Sequence, residues 1–341
     1  MSPYSSPIRI AINGFGRIGR YTAKLLLRDS RFDLVAINDL ADPAAMAHLL
    51  KYDSIHGKFD SEITLEDSFL RVDEKKIILC SRSQPEHLPW KELAIDVVLE
   101  CTGRFTSTGD VSKHLEAGAK KVILSAPSQD HAIPMIVMGV NDHLITGNEK
   151  IISNASCTTN CLAPMVKVLE EHFGIERGFA STIHSYTNDQ NLHDAPHRDL
   201  RRARAAAYSI IPTTTNAGKA LDRVIPALAG KIEASAMRVP VPDGSLTDLV
   251  VTLSREVTTN EVNQAFKRAA ASDLKGYLQV ESDPIVSMDI IGNPHSCILD
   301  EALSSAKGNL VKVVAWYDNE SGYANRLMDL LIKINLTEAK K

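Results

Sequence analysis

The segment Ser153-Asn-Ala-Ser-Cys157-Thr-Thr-Asn-Cys161 sets a cysteine among small and hydroxyl-bearing residues just before a helix-like run. That spacing places Cys157 in the first turn of a helix. Unpaired N–H groups and the helix dipole there stabilise a thiolate and lower its pKa. A thiolate attacks carbonyl carbon. Most cysteines are small buried hydrophobes, and the polar neighbours Ser156, Thr158 and Thr159 are what distinguish this one. Cys161, four residues on, faces the same helix side and reads as packing rather than as a disulfide partner or metal ligand. No further Cys/His cluster has zinc spacing, so no metal is expected.

A nucleophile needs a base, and eleven histidines compete for the role. His184 ends the run Ala180-Ser-Thr-Ile-His184 and would project from a strand end, while His193 and His197 follow in a loop. The residues alone leave that choice open. Next come Arg198-Asp-Leu-Arg201-Arg202-Ala-Arg204 and the hydroxyls Thr213-Thr-Thr215. Guanidinium groups match phosphate oxygens, so this cluster suits a phosphorylated ligand.

A second chemical motif lies near the start. Gly14-Phe-Gly16-Arg-Ile-Gly19 follows the apolar run from Ile8 to Ile12, opens a helical pattern, and has Asp39 about 20 residues on. Gly14 permits a tight turn, Gly16 lets backbone approach a pyrophosphate, and Gly19 lets helix and strand pack closely. N–H groups at the helix start receive the phosphate charge. Asp39 accepts hydrogen bonds from a ribose diol and repels a 2′-phosphate. Together these predict a nicotinamide dinucleotide site.

Around these motifs the chain alternates apolar strand-like runs with helical stretches. Strands are expected at Phe32 to Ile37, Asp96 to Cys101, Lys121 to Ser125 and Met135 to Gly139, with helices at Ile18 to Leu27 and Val111 to Ala119. This favours a doubly wound parallel sheet. After about residue 150 the pattern changes. Strands at Gly178 to His184, Ile232 to Pro240, Leu246 to Arg255 and Leu310 to Tyr317, several alternating apolar with polar, suit an antiparallel sheet with one covered face. Helices are expected at Cys161 to Phe173, Ala217 to Ile225, Thr259 to Ala271 (capped by Thr258 or Thr259) and Tyr323 to Leu336. The loop from Ser185 to Arg204 is long for a compact domain, as functional loops are.

Composition agrees with a globular chain. Its 341 residues predict about two domains. Lys+Arg 38 against Asp+Glu 42 leaves a net charge of −4, too balanced for nucleic acid or an anionic membrane. No apolar run reaches the roughly 18 residues of a bilayer span, and the first residues do not have the pattern of a secretory signal. Five scattered cysteines, an odd number, point to a reducing, cytoplasmic setting.

The cysteine motif, Ala11-Ile-Asn-Gly-Phe-Gly-Arg-Ile-Gly-Arg20, His184-Ser-Tyr-Thr-Asn-Asp-Gln190, Asp199-Leu-Arg-Arg-Ala-Arg-Ala-Ala-Ala207 and Trp316-Tyr-Asp-Asn-Glu320 together resemble the phosphorylating glyceraldehyde-3-phosphate dehydrogenase family. The resemblance runs in order over nearly the whole chain. It implies a Rossmann-type NAD-binding domain over 1–156 and 320–341, with the last helix returning to it. An α+β catalytic domain with a mainly antiparallel sheet then spans 157–319. The implied reaction is oxidative phosphorylation of D-glyceraldehyde 3-phosphate to 1,3-bisphosphoglycerate with NAD reduction, through a Cys157 thiohemiacetal and thioester. His184 is the implied base. Thr187 and Arg238 would hold the substrate's phosphate, and Ser156, Thr158, Thr215 and Asn216, with Arg202 nearby, the inorganic phosphate. Arg17, Ile18, Asp39, Arg82, Ser125 and Asn319 match cofactor contacts. A homotetramer is implied, with the 185–204 loop near a neighbouring subunit.

Three positions depart from the family pattern. Asn216 replaces a glycine in the phosphate loop and Ser321 replaces a tryptophan after Asn319-Glu320. Ala195, before Pro196, replaces a leucine common in NAD-preferring members, which leaves NADP use open. Met46 to Asp53 and Leu88 to Leu93 also resemble the sister family of erythrose-4-phosphate dehydrogenases. Tyr186-Thr187 and Thr213-Thr-Thr215 follow the glyceraldehyde type. A non-catalytic dinucleotide-binding adaptor is the reading from a different class, which the joint presence of Cys157 and His184 disfavours.

Overall fold

A computed structural model describes residues 7–339. The chain forms two compact units, one comprising residues up to 136, 143–155 and from 324 on, the other 137–142 and 156–323.

The first unit runs β1 (Ile8–Asn13), α1 (Arg17–Arg28), β2 (Phe32–Asn38), α2 (Pro43–Lys51), the short ribbon β3 (Tyr52–Asp53) and β4 (Gly57–Lys58), then β5 (Ile63–Glu66), β6 (Phe69–Val72), β7 (Lys75–Cys80), β8 (Val97–Glu100), α3 (Thr108–Glu116), β9 (Lys121–Leu124) and β10 (Ile151–Ser153). Its sheet is ordered β10-β9-β8-β1-β2-β7-β6-β5. From β10 to β7 every pairing is parallel, and β6 and β5 extend the edge antiparallel. Strands β8 and β9 are buried at every residue, as strands covered on both faces must be. The chain moves outward from β1 through β2 on one side and resumes at β8 on the other. Strand order therefore reverses between β1 and β8, which leaves a crevice at their carboxyl ends.

The second unit runs α4 (Cys157–Phe173), β11 (Ile175–Ser185), β12 (Ile211–Thr213), α5 (Ala217–Val224), β13 (Ile232–Val239), β14 (Ser245–Leu253), α6 (Thr259–Ala271), β15 (Leu278–Glu281), β16 (Cys297–Lys307) and β17 (Leu310–Tyr317). Helix α7 (Ser321–Ala339) begins in this unit and continues in the first. The sheet order is β12-β13-β11-β14-β17-β16-β15, antiparallel except for β11 with β13 and β15 with β16. Strand β14 is buried at every second residue, so one face is covered and the other is more open. Helix α4 packs on that sheet against β14, β16 and β17. Cys161 is fully buried on α4, with its thiol 3.9 Å from the Ala315 carbonyl, a packing position.

One expected strand is absent. Met135 makes a single bridge to Ser153, and Val137 to Asn141 form a turn instead. The composition is β-like, but side chains take the groups a ladder would use. Asn141 Oδ1 accepts the Val137 N–H at 2.8 Å, Asp142 Oδ1 the Gly139 N–H at 3.0 Å, and Lys167 Nζ donates to the Gly139 carbonyl at 2.8 Å. Gly139 takes φ 79°, outside strand geometry.

Helix α6 carries a complete capping box. The Thr258 hydroxyl accepts the Glu261 N–H at 3.2 Å, and the Glu261 carboxylate accepts the Thr258 N–H at 2.8 Å. Thr258→Ala removes one half of the exchange. It should lower stability by about 1 kcal/mol, read as a shift in the urea midpoint with an unchanged slope.

Candidate active site

Ala155 sits at φ 55° with its N–H on the Ser153 hydroxyl at 3.1 Å, which turns the backbone before α4. Ser156 caps the helix, its Oγ accepting the Thr159 N–H at 3.0 Å. Cys157 is the first helical residue. His184 stands next to last in β11, is 6% exposed, and places Nε2 3.4 Å from the Cys157 Sγ. Of the three histidines open to choice, this is the one that meets the sulfur.

The tautomer of His184 follows from its other nitrogen. Nδ1 lies 2.7 Å from the Ser185 carbonyl, which only accepts, so Nδ1 carries the proton and Nε2 keeps a lone pair toward Cys157. Arg238 Nη1 is 2.8 Å from the same Nδ1 and 2.9 Å from the Ser185 carbonyl. With Nδ1 protonated, the guanidinium donates to that carbonyl. The parallel register of β11 and β13 pairs His184 with Arg238 directly, which explains the meeting of residues 54 apart. Tyr317 stands edge-on to the imidazole at 6.0 Å, and its hydroxyl meets the Thr158 hydroxyl at 3.0 Å.

The electrostatics depart from the expectation of a standing thiolate. Burial pushes the Cys157 thiol up, and this outweighs the downward pull of the Arg238 charge and of the Thr158 and Cys157 N–H groups. Cys157 keeps some open surface, so the thiol is recessed rather than sealed. Burial first, then the Arg238 charge, pushes His184 down to about 3. The resting pair is therefore a neutral thiol facing a neutral imidazole. The helix entrance alone does not ionise the sulfur.

The expected phosphate ligands are distributed less simply. Thr158 is buried with its hydroxyl on Tyr317, and its N–H faces the Cys157 sulfur. Arg202 is committed to partners. It donates to Asp189, donates from Nε to the Thr213 hydroxyl at 2.7 Å, and lies 3.7 Å from the Asp199 carboxylate. Thr187 and Thr215 are half-buried, the Thr215 hydroxyl accepting the Ala217 N–H at 3.1 Å. Asn216 takes the N-cap position of α5 without a side-chain cap bond and is exposed. Asn319 is buried, with Oδ1 accepting the Ser185 hydroxyl at 2.9 Å and the Ser245 hydroxyl at 2.8 Å, so its NH2 points the other way.

In the first unit a cleft at the carboxyl ends of β1, β2 and β8 is lined by Gly14, Gly16, Asp39, Arg82, Thr102 and Phe105 among others. A Cβ on Gly14 would lie 2.6 Å from the Thr102 nitrogen, and one on Gly19 2.2 Å from the Gly14 carbonyl oxygen. Either would force the turn apart. A Cβ on Gly16 would meet nothing within 4 Å among the described residues, so the space over Gly16 is open to a ligand's phosphates. Asp39 accepts the Phe15 N–H at 2.6 Å and the Ala41 N–H at 2.9 Å, which aims its carboxylate at the cleft mouth and leaves lone pairs for a diol. These features fit a dinucleotide. Ile18 follows in the first turn of α1. The Arg17 side chain is instead paired with Asp53 at 2.9 and 3.0 Å, so what it offers a cofactor is its backbone N–H. Ser125 lies just beyond β9, bonded through its N–H to the Glu100 carbonyl at 2.9 Å.

Sequence reasoning missed Tyr317 and the Ser185 carbonyl. Tyr317 lies inside the Trp316 to Glu320 motif, but no residue type near it marks its place beside the imidazole and Thr158. A backbone carbonyl leaves no trace in residue types.

Family models add an independent line. The glyceraldehyde 3-phosphate dehydrogenase NAD binding domain matches residues 8–108, and the C-terminal domain of the same family matches residues 156–319. The chain belongs to the glyceraldehyde-3-phosphate dehydrogenase family. Its similarity extends to glyceraldehyde-3-phosphate dehydrogenase 2 of Streptomyces avermitilis, 55% identical over 95% of this chain and 98% of that one. The enzymes named glyceraldehyde-3-phosphate dehydrogenase from Priestia megaterium and Mycobacterium tuberculosis are 54% and 52% identical, each over 95% of this chain and 97% of the relative. NAD is accordingly the cofactor, and the chain is an oxidoreductase. No helix among the described residues is long and apolar enough to cross a membrane.

A His184 held neutral carries a pH signature. Its folded pKa of about 3 lies below the ordinary 6.5, so the unfolded chain binds the extra proton. The stability this group contributes is complete above 6.5 and falls away as pH drops toward 3. Comparing pH 7 with pH 4.5 by urea unfolding, wild type should lose about 2–3 kcal/mol more than His184→Gln. Parallel pH profiles for the two proteins would contradict a neutral buried imidazole.

Proposed function

We propose that the chain oxidises D-glyceraldehyde 3-phosphate to 1,3-bisphosphoglycerate, with Cys157 as nucleophile and His184 as proton shuttle. The observation that carries this reading is the His184 Nε2 at 3.4 Å from the Cys157 sulfur, with Nδ1 2.7 Å from the Ser185 carbonyl. As sulfur attacks the aldehyde carbon, its proton passes to Nε2 and then to the new alkoxide oxygen, giving a neutral thiohemiacetal. The N–H groups at the start of α4 and the Nε2 proton stabilise the oxygen's charge while it exists. When bound, NAD supplies the hydride acceptor. Nε2 takes the hydroxyl proton as the C–H bond breaks, leaving a thioester and an imidazolium. Inorganic phosphate then attacks the thioester carbon, the sulfur leaves, and the imidazolium returns the proton to it. One proton moves back and forth, and neither group holds a charge at rest.

Arg238 and Thr187 bind the substrate phosphate in this reading. Ser156, Thr158, Thr215 and Asn216 receive the inorganic phosphate, with Arg202 lending charge from its ion-paired position. The first unit holds NAD through Gly14, Gly16, Gly19, Ile18, Asp39, Arg82 and Ser125, with the Arg17 N–H. The Asn319 NH2, oriented by Ser185 and Ser245, donates to the nicotinamide carboxamide. The exposed apolar side chains Leu192, Leu200, Tyr208 and Ile210 support a homo-oligomer, a tetramer by family resemblance. Five cysteines, all free, support a cytoplasmic location.

Cys157→Ser should abolish NADH formation while leaving the NAD dissociation constant within about threefold. His184→Gln should lower kcat by about 10²–10⁴. Turnover surviving in the serine variant would remove the covalent route. Steady-state rates with glyceraldehyde 3-phosphate and erythrose 4-phosphate, with and without inorganic phosphate, test the substrate, and a higher kcat/KM for the four-carbon sugar would overturn it.

A further inference from the structure

Beneath the first unit's cleft lies a polar chain that the chemistry above does not use. Glu100, at the end of β8, is 2% exposed. Its Oε1 accepts the Thr102 N–H at 2.7 Å and the Thr102 hydroxyl. Its Oε2 accepts from Asn13 Nδ2 at 2.5 Å and lies 3.1 Å from His114 Nε2. Asn13 Oδ1 accepts from Asn38 Nδ2 at 2.7 Å. Asn38 closes on the backbone of Arg82, donating to its carbonyl at 2.9 Å and accepting its N–H at 2.8 Å. The chain ties together the ends of β8, β1 and β2 and the segment after β7. Asn13, Asn38, Arg82 and Thr102 all line the cleft.

The direction of every bond in this chain is forced. Backbone groups stand at both ends, and an N–H only donates while a carbonyl only accepts. Arg82 therefore fixes the Asn38 amide, Asn38 fixes Asn13, and Asn13 turns its NH2 toward residue 100. From the other side the Thr102 N–H donates to residue 100 as well. A third input has the same sense. The Trp90 indole N–H donates to His114 Nδ1 at 3.0 Å, so the His114 proton sits on Nε2, aimed at Glu100. Residue 100 must accept at both terminal atoms. Among side chains of this length only an ionised carboxylate does so, and a glutamine would turn an NH2 against donors.

We propose that Glu100 is a positioning residue for the cofactor, its buried carboxylate locking the row of polar groups that floors the dinucleotide cleft. This rests on reading that cleft as the NAD site. Four converging donors offset the burial of the charge, and a floor already ordered binds without reorganisation.

A charge swap tests the logic. Glu100→Gln and Asn13→Asp each put like against like, and each should weaken NAD binding roughly 10- to 100-fold. KM for NAD should rise while the alkylation rate of Cys157 stays that of the wild type. In the double variant the new carboxylate at position 13 accepts from Asn38, from the introduced NH2 at position 100 and, 3.4 Å away, from His114. The introduced amide oxygen at position 100 still serves Thr102. His114 Nε2 still faces the introduced NH2 at 3.1 Å, so the double should recover part of the loss and bind NAD more tightly than the worse single by about threefold or more. Wild-type affinity in Glu100→Gln, or a double no better than the worse single, would overturn the proposal. If the singles are insoluble, the double decides: soluble and NAD-binding supports it, insoluble or non-binding overturns it. Gly16→Val, which fills the open space over the turn, serves as control. Unchanged NAD binding there would sink the cleft reading and this proposal with it, whereas a responsive control beside unresponsive Glu100 variants would sink this proposal alone.

Discussion

The chemistry depends on one backbone carbonyl. Because the Ser185 oxygen holds the Nδ1 proton of His184, the opposite nitrogen presents its lone pair to the sulfur. Had that carbonyl pointed elsewhere, the guanidinium of Arg238 at 2.8 Å would donate to Nδ1, and the proton would sit on Nε2, facing a thiol that needs an acceptor. The tautomer is a consequence of strand geometry. His184 and Ser185 are the last two residues of β11, where backbone direction is set by pairing with β13. A local sheet register thereby decides which atom of the neighbouring ring can take a proton.

The neutral resting pair follows from where the fold places these groups. A helix N-terminus favours a thiolate by up to about 2 kcal/mol in good geometry, and Arg238 adds its charge. Burial acts against both, and it acts on the imidazolium as well. Forming a thiolate–imidazolium pair before the substrate arrives would place two charges in a poorly solvated site. Charge instead develops when sulfur attacks, at which point the helix N–H groups are already in place. Preorganised dipoles contribute most to a charge that exists only during reaction. Arg238, next to the histidine by strand register, keeps a fixed positive charge beside the pair throughout.

Much of this was legible in the residues, for reasons of range. The glycine turn, the cysteine at a helix entrance, the apolar β1 and β2 and the capping box of α6 are all local patterns, each written within a few positions. What escaped was written across long separations. The basic cluster around Arg202 is visible in the residues, but its ion pair with Asp189, 13 positions back, is not. The pairing of the Arg17 guanidinium with Asp53, 36 positions on, leaves no local mark either. Met135 to Gly139 has strand composition, but side chains from Asn141, Asp142 and Lys167 satisfy the backbone that a ladder would otherwise need. The edge β5–β7 was unmarked because its turns use aspartates at positive φ, Asp67 and Asp73, where glycine is the usual signal.

Buried carboxylates in the two units show one rule giving opposite results. Glu100 faces donors on every side, the Thr102 N–H and hydroxyl, Asn13 and His114, and accepts at both oxygens. Asp243, fully buried in the second unit, faces other acids. Burial, followed by the charges of Asp318 and Glu320, pushes it up to about 9, so it is a neutral acid and a donor to Asp318. Asp318 can accept that proton because its other bonds are also acceptances, from the N–H groups of Gly292 at 2.7 Å, Glu320 at 2.8 Å and Ser321 at 2.7 Å. Those last two bonds fix the backbone on both sides of Asn319, whose own amide is held by two serine hydroxyls. A third ionised acid in that place would repel the group that anchors this turn. Counting donors around a buried acid thus predicts its protonation state. In each unit the amide beside the acid is oriented by fixed partners, Asn13 through Asn38 from the Arg82 backbone and Asn319 by the Ser185 and Ser245 hydroxyls, and an amide can recognise a ligand only when its oxygen and nitrogen cannot exchange places.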